Sequence, residues 1–194
     1  CLHLKAWESA GITGIPIAIN LSARQFSARD LGKTIERVLS QHGVSPDLLE
    51  LELTESSLMS NTDDAVKTLR ELKSLGVRLA IDDFGTGYSS LAYLQLFPID
   101  ALKIDRSFVS DITSDRDDAA IIRAVIGMAH NLGLRVVAEG VENEAQLSFL
   151  VANGCDEMQG FYYSPPLAGD ESLAMLLDPP PLRLDFKRSN EAAG

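Results

Sequence analysis

Asn20, Glu52, Asp82 with Asp83, Lys103, Glu139 with Glu142, and Gln159 share one placement: each closes, or shortly follows, an apolar run. In barrels and open parallel sheets, that end of a strand is the edge on which sites are built. Any one such residue can instead cap the following helix or occupy a turn. Their recurrence along six successive runs argues for convergence on one site. Carboxylates gathered at one mouth raise each other's pKa values or push the site apart, and Lys103 is expected to neutralise only one of them. A bound divalent cation resolves that repulsion, and an all-oxygen set of Asp, Glu and Asn selects Mg²⁺ or Mn²⁺ over zinc. The adjacent Asp82 and Asp83 point to two ions, which would clamp both the attacking and the leaving oxygen of a phosphoester displacement. Lys103 then either holds the attacking water or forms an ion pair with a neighbouring carboxylate, and spacing alone leaves both open.

The histidines do not compete for this role. His3 lies in the first helix, His42 at a helix end, and His130 near the C-terminus of a helix, where surface or dipole roles suffice. Asp82 and Asp83 lead into Phe84-Gly85-Thr86-Gly87-Tyr88-Ser89-Ser90, a loop whose glycines allow close backbone approach. Taken by itself it reads as a βα turn in which Ser89 or Ser90 caps the next helix.

The elements that must position these residues follow from periodicity. Helical apolar spacing alternates with short apolar runs, the pattern of βα units around a parallel sheet. Thr62 is expected as N-cap before Ala65, Val66, Leu69 and Leu72, with Gly76 as the stop. The same arrangement recurs as Ala119 to Leu132 closing on Gly133, and Glu144 to Ala152 closing on Gly154. Gly43 ends an earlier helix, and Glu171 to Leu177 forms the last one. The expected strands are Ile15 to Ile19, Leu48 to Leu53, Val77 to Ile81, Ala101 to Ile104, Leu134 to Ala138 and Met158 to Phe161. A (β/α)8 barrel needs eight strands and typically about 250 residues. The pattern therefore reads as an α/β barrel of the TIM type lacking about its first two strands. An open doubly wound sheet is the alternative. Residues 1–178 form the expected domain and residues 179–194 a linker or tail. Cys1, with Leu2, Leu4 and Trp7 on one face of a helix ending at Gly11, places the start inside an element of a longer protein.

Composition narrows the function further. The chain has 194 residues, 45% hydrophobic and 23% charged, enough for one domain with a substantial core. Seventeen Lys and Arg against 28 Asp and Glu give a formal charge of -11, which repels DNA, RNA and anionic membranes unless a cation intervenes. Cys1 and Cys155 show neither a disulfide framework nor zinc-site spacing, which is the pattern of a reducing cytoplasm. No apolar run approaches the roughly 20 residues of a membrane span.

The wording of the segments carries a resemblance. Asn20-Leu21-Ser22, Glu52-Leu53-Thr54-Glu55, the Asp82 to Ser90 string, Lys103-Ile104-Asp105-Arg106-Ser107-Phe108, Glu139-Gly140-Val141-Glu142 and Gln159-Gly160 occur in this order. Together they closely resemble the EAL family of cyclic-di-GMP phosphodiesterases, from about residue 2 to Leu167. The resemblance implies a modified TIM barrel that hydrolyses cyclic di-GMP to linear pGpG with Mg²⁺ or Mn²⁺ in bacterial signalling. It makes Asn20, Glu52, Asp82, Asp83 and Glu139 metal-site residues, and gives Lys103 the placing of the nucleophilic water. Gln159 and Glu142 complete the site. It also makes Glu139 the general base and Glu55 the anchor of the loop beginning at Asp82, a loop tied in the family to dimerisation. A homodimer and an upstream sensor, receiver or GGDEF-like domain are implied with it.

Two departures stand out. The Glu-Ala-Leu signature with its metal-binding Glu and nearby phosphate-contacting Arg is absent, and Pro165 follows Ser164 where the family often has a basic residue. Weak or no turnover is therefore expected of this chain alone. The competing readings are a catalytically silent cyclic-di-GMP receptor or protein-interaction domain, and an unrelated metal-dependent barrel with Lys103 as base.

Overall fold

The computed structural model describes residues 1–59, 61–86 and 91–179. Six strands form one parallel sheet in sequence order: β1 (Ile17–Leu21), β2 (Leu49–Thr54), β3 (Arg78–Phe84), β4 (Ala101–Ile104), β5 (Arg135–Glu139) and β6 (Glu157–Gln159). Parallel neighbours require a crossover on one side of the sheet. Much of that layer comes from α3 (Leu31–His42), α5 (Thr62–Ser74), α8 (Arg116–Asn131) and α9 (Glu144–Ala152). Short helices α2 (Ala23–Phe26), α4 (Glu55–Met59), α6 (Leu91–Leu94) and α7 (Arg106–Ser110) follow the C-terminal ends of β1 to β4, and α1 (Leu2–Ser9) and α10 (Gly169–Leu177) flank the whole.

The two sheet faces differ in kind, and β2 shows why. Its sequence Leu-Glu-Leu-Glu-Leu-Thr alternates with the period of a strand. Leu49, Leu51 and Leu53 join Leu79, Ile81, Leu102, Ile104, Val136 and Ala138 in the core with Ala65, Leu69 and Leu72 of α5 and Ile122, Ile126 and Ala129 of α8. Register then puts Glu50, Glu52, Asp82, Lys103, Arg135 and Glu139 on the opposite face. That face is concave. In a flat sheet, strands about 4.8 Å apart would hold β2 and β5 roughly 14 Å from each other. Arg135 Nη2 lies 2.6 Å from Glu50 Oε2, a contact that the curl of the sheet brings within easy reach.

At the N-terminal ends of the strands, two aspartates tie neighbouring units together. Asp100 Oδ2 accepts the Leu79 N–H at 2.8 Å and pairs with Lys73, while Asp156 Oδ2 accepts the Val136 N–H at 2.8 Å and meets His130 Nε2 at 2.9 Å. His130 thus serves the far end of the sheet from the polar cluster, in keeping with a structural role.

Several boundaries move from their expected positions. β1 starts at Ile17, after Pro16, whose missing N–H cannot enter the ladder, and continues to Leu21 because Asn20 and Leu21 pair with Glu52 and Leu53. β3 runs past Ile81 through both aspartates to Phe84, with a register shift against β4 on the way. β6 is Glu157–Gln159, cut short by a turn in which the Tyr163 N–H bonds the Gly160 carbonyl. The cap of α5 is Asn61, whose side chain accepts the Asp64 N–H, and Thr62 is the first helical residue. Gly43, Gly76, Gly133 and Gly154 all take the positive φ of a helix stop. The reading of Ser89 or Ser90 as a cap and that of the tail from residue 180 onward lie outside the described residues.

Partial burial works against the charged Asp156 carboxylate, but bonds from His130 and Val136 outweigh it and hold its pKa below the usual 3.8. Asp156→Ala removes the acceptor for the Val136 N–H and is expected to cost about 1–2 kcal/mol in chemical denaturation at pH 7. A depressed carboxylate stabilises fully above its unfolded pKa and stops doing so as pH falls through the folded one. The gap between parent and variant should therefore narrow as pH falls below about 4.

Candidate active site

Lys103 is the centre of the polar cluster. It stands on β4, 3% exposed, with Nζ 2.5 Å from Glu139 Oε1 on β5, 2.8 Å from Glu52 Oε2 on β2 and 3.1 Å from Asp82 Oδ1 on β3. One ammonium therefore meets three carboxylates, where only one pair was expected. The partners arrive from both sides because residues two apart on a strand share a face and the sheet curls around β4. Burial works against the Lys103 charge, yet hydrogen bonds to Glu139 and Glu52 outweigh it and lift its pKa above the ordinary lysine range. Burial also raises the pKa values of Glu52 and Glu139, and the nearby aspartate charges push the same way.

Two features of the geometry show that one lysine does not satisfy this site. Asp82 Oδ1 is near the ammonium, but the contact lacks hydrogen-bond geometry, and that buried oxygen is left without a hydrogen bond. The Asn20 carboxamide faces Glu52 Oε2 and Asp82 Oδ2 at 3.3 and 3.0 Å. With nitrogen inward it donates to both carboxylates; with oxygen inward, three acceptors converge and need a cation. Asp82, Asp83 and Glu139 each offer a carboxylate oxygen, all within 4.8 Å of one another. This donor set fits a hard divalent ion, with Asn20 and Glu52 at its border.

The two aspartates are aimed by backbone strain. Asp83 has φ 55°, the sole non-glycine residue with positive φ among those described. It coincides with the irregularity between Ile81 and Phe84, and bulges of this kind redirect side chains at strand ends. Beyond it, the Gly85 N–H donates to Glu55 Oε2 at 3.3 Å, and Glu55 is 3% exposed at the start of α4. That is where an anchor for the loop would stand. Burial, then the charges of Asp82 and Asp105, raise the Asp83 pKa. Asp105 is a site neighbour that sequence reasoning passed over. It caps α7 by accepting the Ser107 N–H at 3.0 Å, and an Asp two residues after Lys103, just past the end of β4, was the available signal.

Gln159 ends β6 in register with Glu139, exposed one strand away from the cluster. Glu142 is exposed on the loop after β5, outside the ion pairs around Lys103. That loop is held by Gln146, 3% exposed, whose Oε1 accepts the N–H groups of Glu142 and Asn143 at 2.7 and 3.1 Å while Nε2 donates to the Ser110 carbonyl. Gln146 was also missed; its signal is the capping box it forms with Asn143. The fold thus brings Asn20, Glu52, Asp82, Asp83, Lys103 and Glu139 together, with Glu55, Glu142 and Gln159 on the rim or beneath a loop. Pro165 follows Ser164 in an exposed segment past β6.

The described strands form a curled parallel sheet with an acidic, lysine-centred mouth at its C-terminal edge, as in part of an α/β barrel. The sequence matches the EAL domain family over residues 1–166, and the chain belongs to that family. It is 43% identical over 174 residues to the bifunctional diguanylate cyclase/cyclic di-GMP phosphodiesterase MucR of Pseudomonas aeruginosa, covering 90% of this chain and 25% of that protein. It is 47% identical over 167 residues to the cyclic di-GMP phosphodiesterase NbdA of the same organism, covering 86% and 21%. The chain therefore spans about a quarter or less of these relatives' length. The MucR phosphodiesterase solved with c-di-GMP superposes with a TM-score of 0.85 at 42% identity, covering 88% of this chain and 69% of that one. Klebsiella pneumoniae BlrP1, solved with manganese and c-di-GMP, gives 0.78 at 33% identity, covering 86% and 42%. The solved EAL relatives are TIM-type barrels, and the six strands here form an open, curled part of one. No described helix is long and apolar enough to cross a membrane.

Lys103→Met leaves Glu52, Asp82 and Glu139 facing one another, and is expected to destabilise the metal-free protein by about 3–5 kcal/mol in denaturant titrations at pH 7. The raised Glu52 and Glu139 pKa values set the pH trend. A carboxylate whose pKa rises on folding binds more protons in the native state, so stability falls as pH climbs from its unfolded value through its folded one. The cost of Lys103→Met should accordingly shrink between pH 7 and pH 5.

Proposed function

We propose that this chain carries the catalytic face of a phosphodiesterase that hydrolyses cyclic di-GMP to linear pGpG with Mg²⁺ or Mn²⁺, two ions in the working site. The observation that supports it most is the Lys103 cluster: carboxylates from β2, β3 and β5 converge on one ammonium and still leave a buried Asp82 oxygen without a hydrogen bond. Asn20, Glu52, Asp82, Asp83 and Glu139 are the proposed ligands. Divalent ions held there would supply positive charge to the phosphate oxygens and lower the pKa of a bound water.

The side chains divide the remaining work. Two of the three Lys103 ammonium protons go to Glu139 and Glu52, and the third is available to hold a water beside Asp82. Glu139, its pKa raised chiefly by burial, is the proton acceptor as that water attacks phosphorus. The product pGpG keeps its phosphate on the 5′ oxygen, so the bond broken is P–O3′ and the departing 3′ oxygen takes up a proton. Gln159 and Glu142, on the rim, are the proposed substrate contacts. Glu55 holds the Gly85 backbone and with it the loop that begins at Asp82. A homodimer linked through that loop, a cytoplasmic site of action and a regulatory domain elsewhere in a longer protein accompany this reading.

Turnover to pGpG with Mn²⁺ or Mg²⁺ against an EDTA blank tests it, measured on this chain and on a version extended upstream. The extended protein is expected to turn over, the chain alone weakly or not at all, and Glu139→Gln to lower the extended protein's rate at least about 100-fold. Retained turnover in Glu139→Gln would sink the assignment. Binding without turnover in both parent proteins would favour a silent receptor.

A further inference from the structure

A second layer of charge lies on the concave face, one step below Lys103. Arg135 opens β5, and its guanidinium reaches in two directions: Nη2 bonds Glu50 Oε2 at 2.6 Å, and Nη1 bonds Glu157 on the adjacent β6. The two arms differ in setting. The Glu50 side chain is 10% exposed, whereas Glu157 is 54% exposed.

Glu50 sits two residues before Glu52 on β2, about 6.6 Å along the strand, and Arg135 precedes Glu139 on β5. The Arg135–Glu50 pair therefore joins the same two strands whose carboxylates grip Lys103. These strands are not neighbours; β3 and β4 lie between them, and no ladder bonds connect them. Their spacing is set by the curl of the sheet and by side chains that cross its concave face. Among the described residues those crossings are Glu52–Lys103–Glu139 and Glu50–Arg135. The first consists of groups that must also rearrange around ions and water. The second is free of that duty.

We propose that Arg135 is a positioning residue: by holding Glu50 across the concave face it sets the distance between Glu52 and Glu139, and with it the divalent-cation affinity of the site above. This rests on the metal-dependent reading just given. A pair that only adds stability would lower the melting temperature and leave cation affinity alone. The exposed Glu157 arm supplies an internal control, since it joins adjacent strands already tied by the β5–β6 ladder.

Calorimetric titration of the purified chain with Mn²⁺ alone, beside thermal melts, decides the matter. Arg135→Gln and Glu50→Gln are expected to weaken Mn²⁺ binding roughly tenfold while still melting cooperatively. Glu157→Gln should stay within about twofold of the parent. Arg135→Lys, which keeps a cation within reach of Glu50, should recover most of the affinity. If Arg135→Gln fails to fold, Glu50→Gln carries the test, because it leaves Arg135 paired with Glu157. Parent-like Mn²⁺ affinity in Glu50→Gln and Arg135→Gln, or an equal loss in Glu157→Gln, overturns the positioning role and leaves the phosphodiesterase reading standing. A parent chain that binds no Mn²⁺ overturns the positioning role, while turnover by the version extended upstream decides the phosphodiesterase reading separately.

Discussion

A single buried ammonium holds the concave face together. Glu52, Asp82 and Glu139 could not share one desolvated mouth without it, because like charges at these distances in a low-dielectric pocket would protonate or separate. Lys103 meets all three, and the result is stable enough to assemble yet incompletely satisfied. That residual demand distinguishes it from a purely structural ion-pair network. The same carboxylates that close on Lys103 present further oxygens to the mouth, and under the proposed function one set of residues would serve both folding and cation binding.

The sheet must curl for this to work, and its alternation makes the curl possible. Leucines and isoleucines on one face pack under the helices, while the other face carries charge at two levels: Arg135 with Glu50, then Lys103 with Glu52, Asp82 and Glu139. Both levels span strands that do not touch along their backbones. Asp100 and Asp156 tie strand starts together at the opposite end and leave the C-terminal edge to the site. The division follows the usual economy of parallel α/β architecture, stability below and chemistry above.

Among the described residues, the one non-glycine residue with positive φ stands where the chain leaves β3. Asp83 in a left-handed conformation, next to a register shift, puts two consecutive carboxylates on the cluster where regular pleating would send one of them to the helix side. Glu55 and Gln146, both buried and both bonded to backbone N–H groups of strand-end loops, hold the surrounding segments in place. Residues outside the polar cluster thus fix the geometry of those within it.

Much of this was legible in the sequence. Short segments of strand period read as strands, helix stops read as glycine, and polar residues toward the ends of those segments marked Asn20, Glu52, Asp82, Asp83, Lys103 and Glu139, which the fold brings together, because local pattern and strand polarity are one-dimensional properties. The strings from Glu52 to Glu55, from Asp82 to Ser90 and from Lys103 to Phe108 carried the family. What only the tertiary structure decided depends on distance across the sheet. That Lys103 serves three carboxylates, that Arg135 reaches Glu50 over two intervening strands, and that Asp83 is held at positive φ all follow from curvature and register. Sequence spacing along one strand carries no information about how far the next-but-one strand has bent toward it.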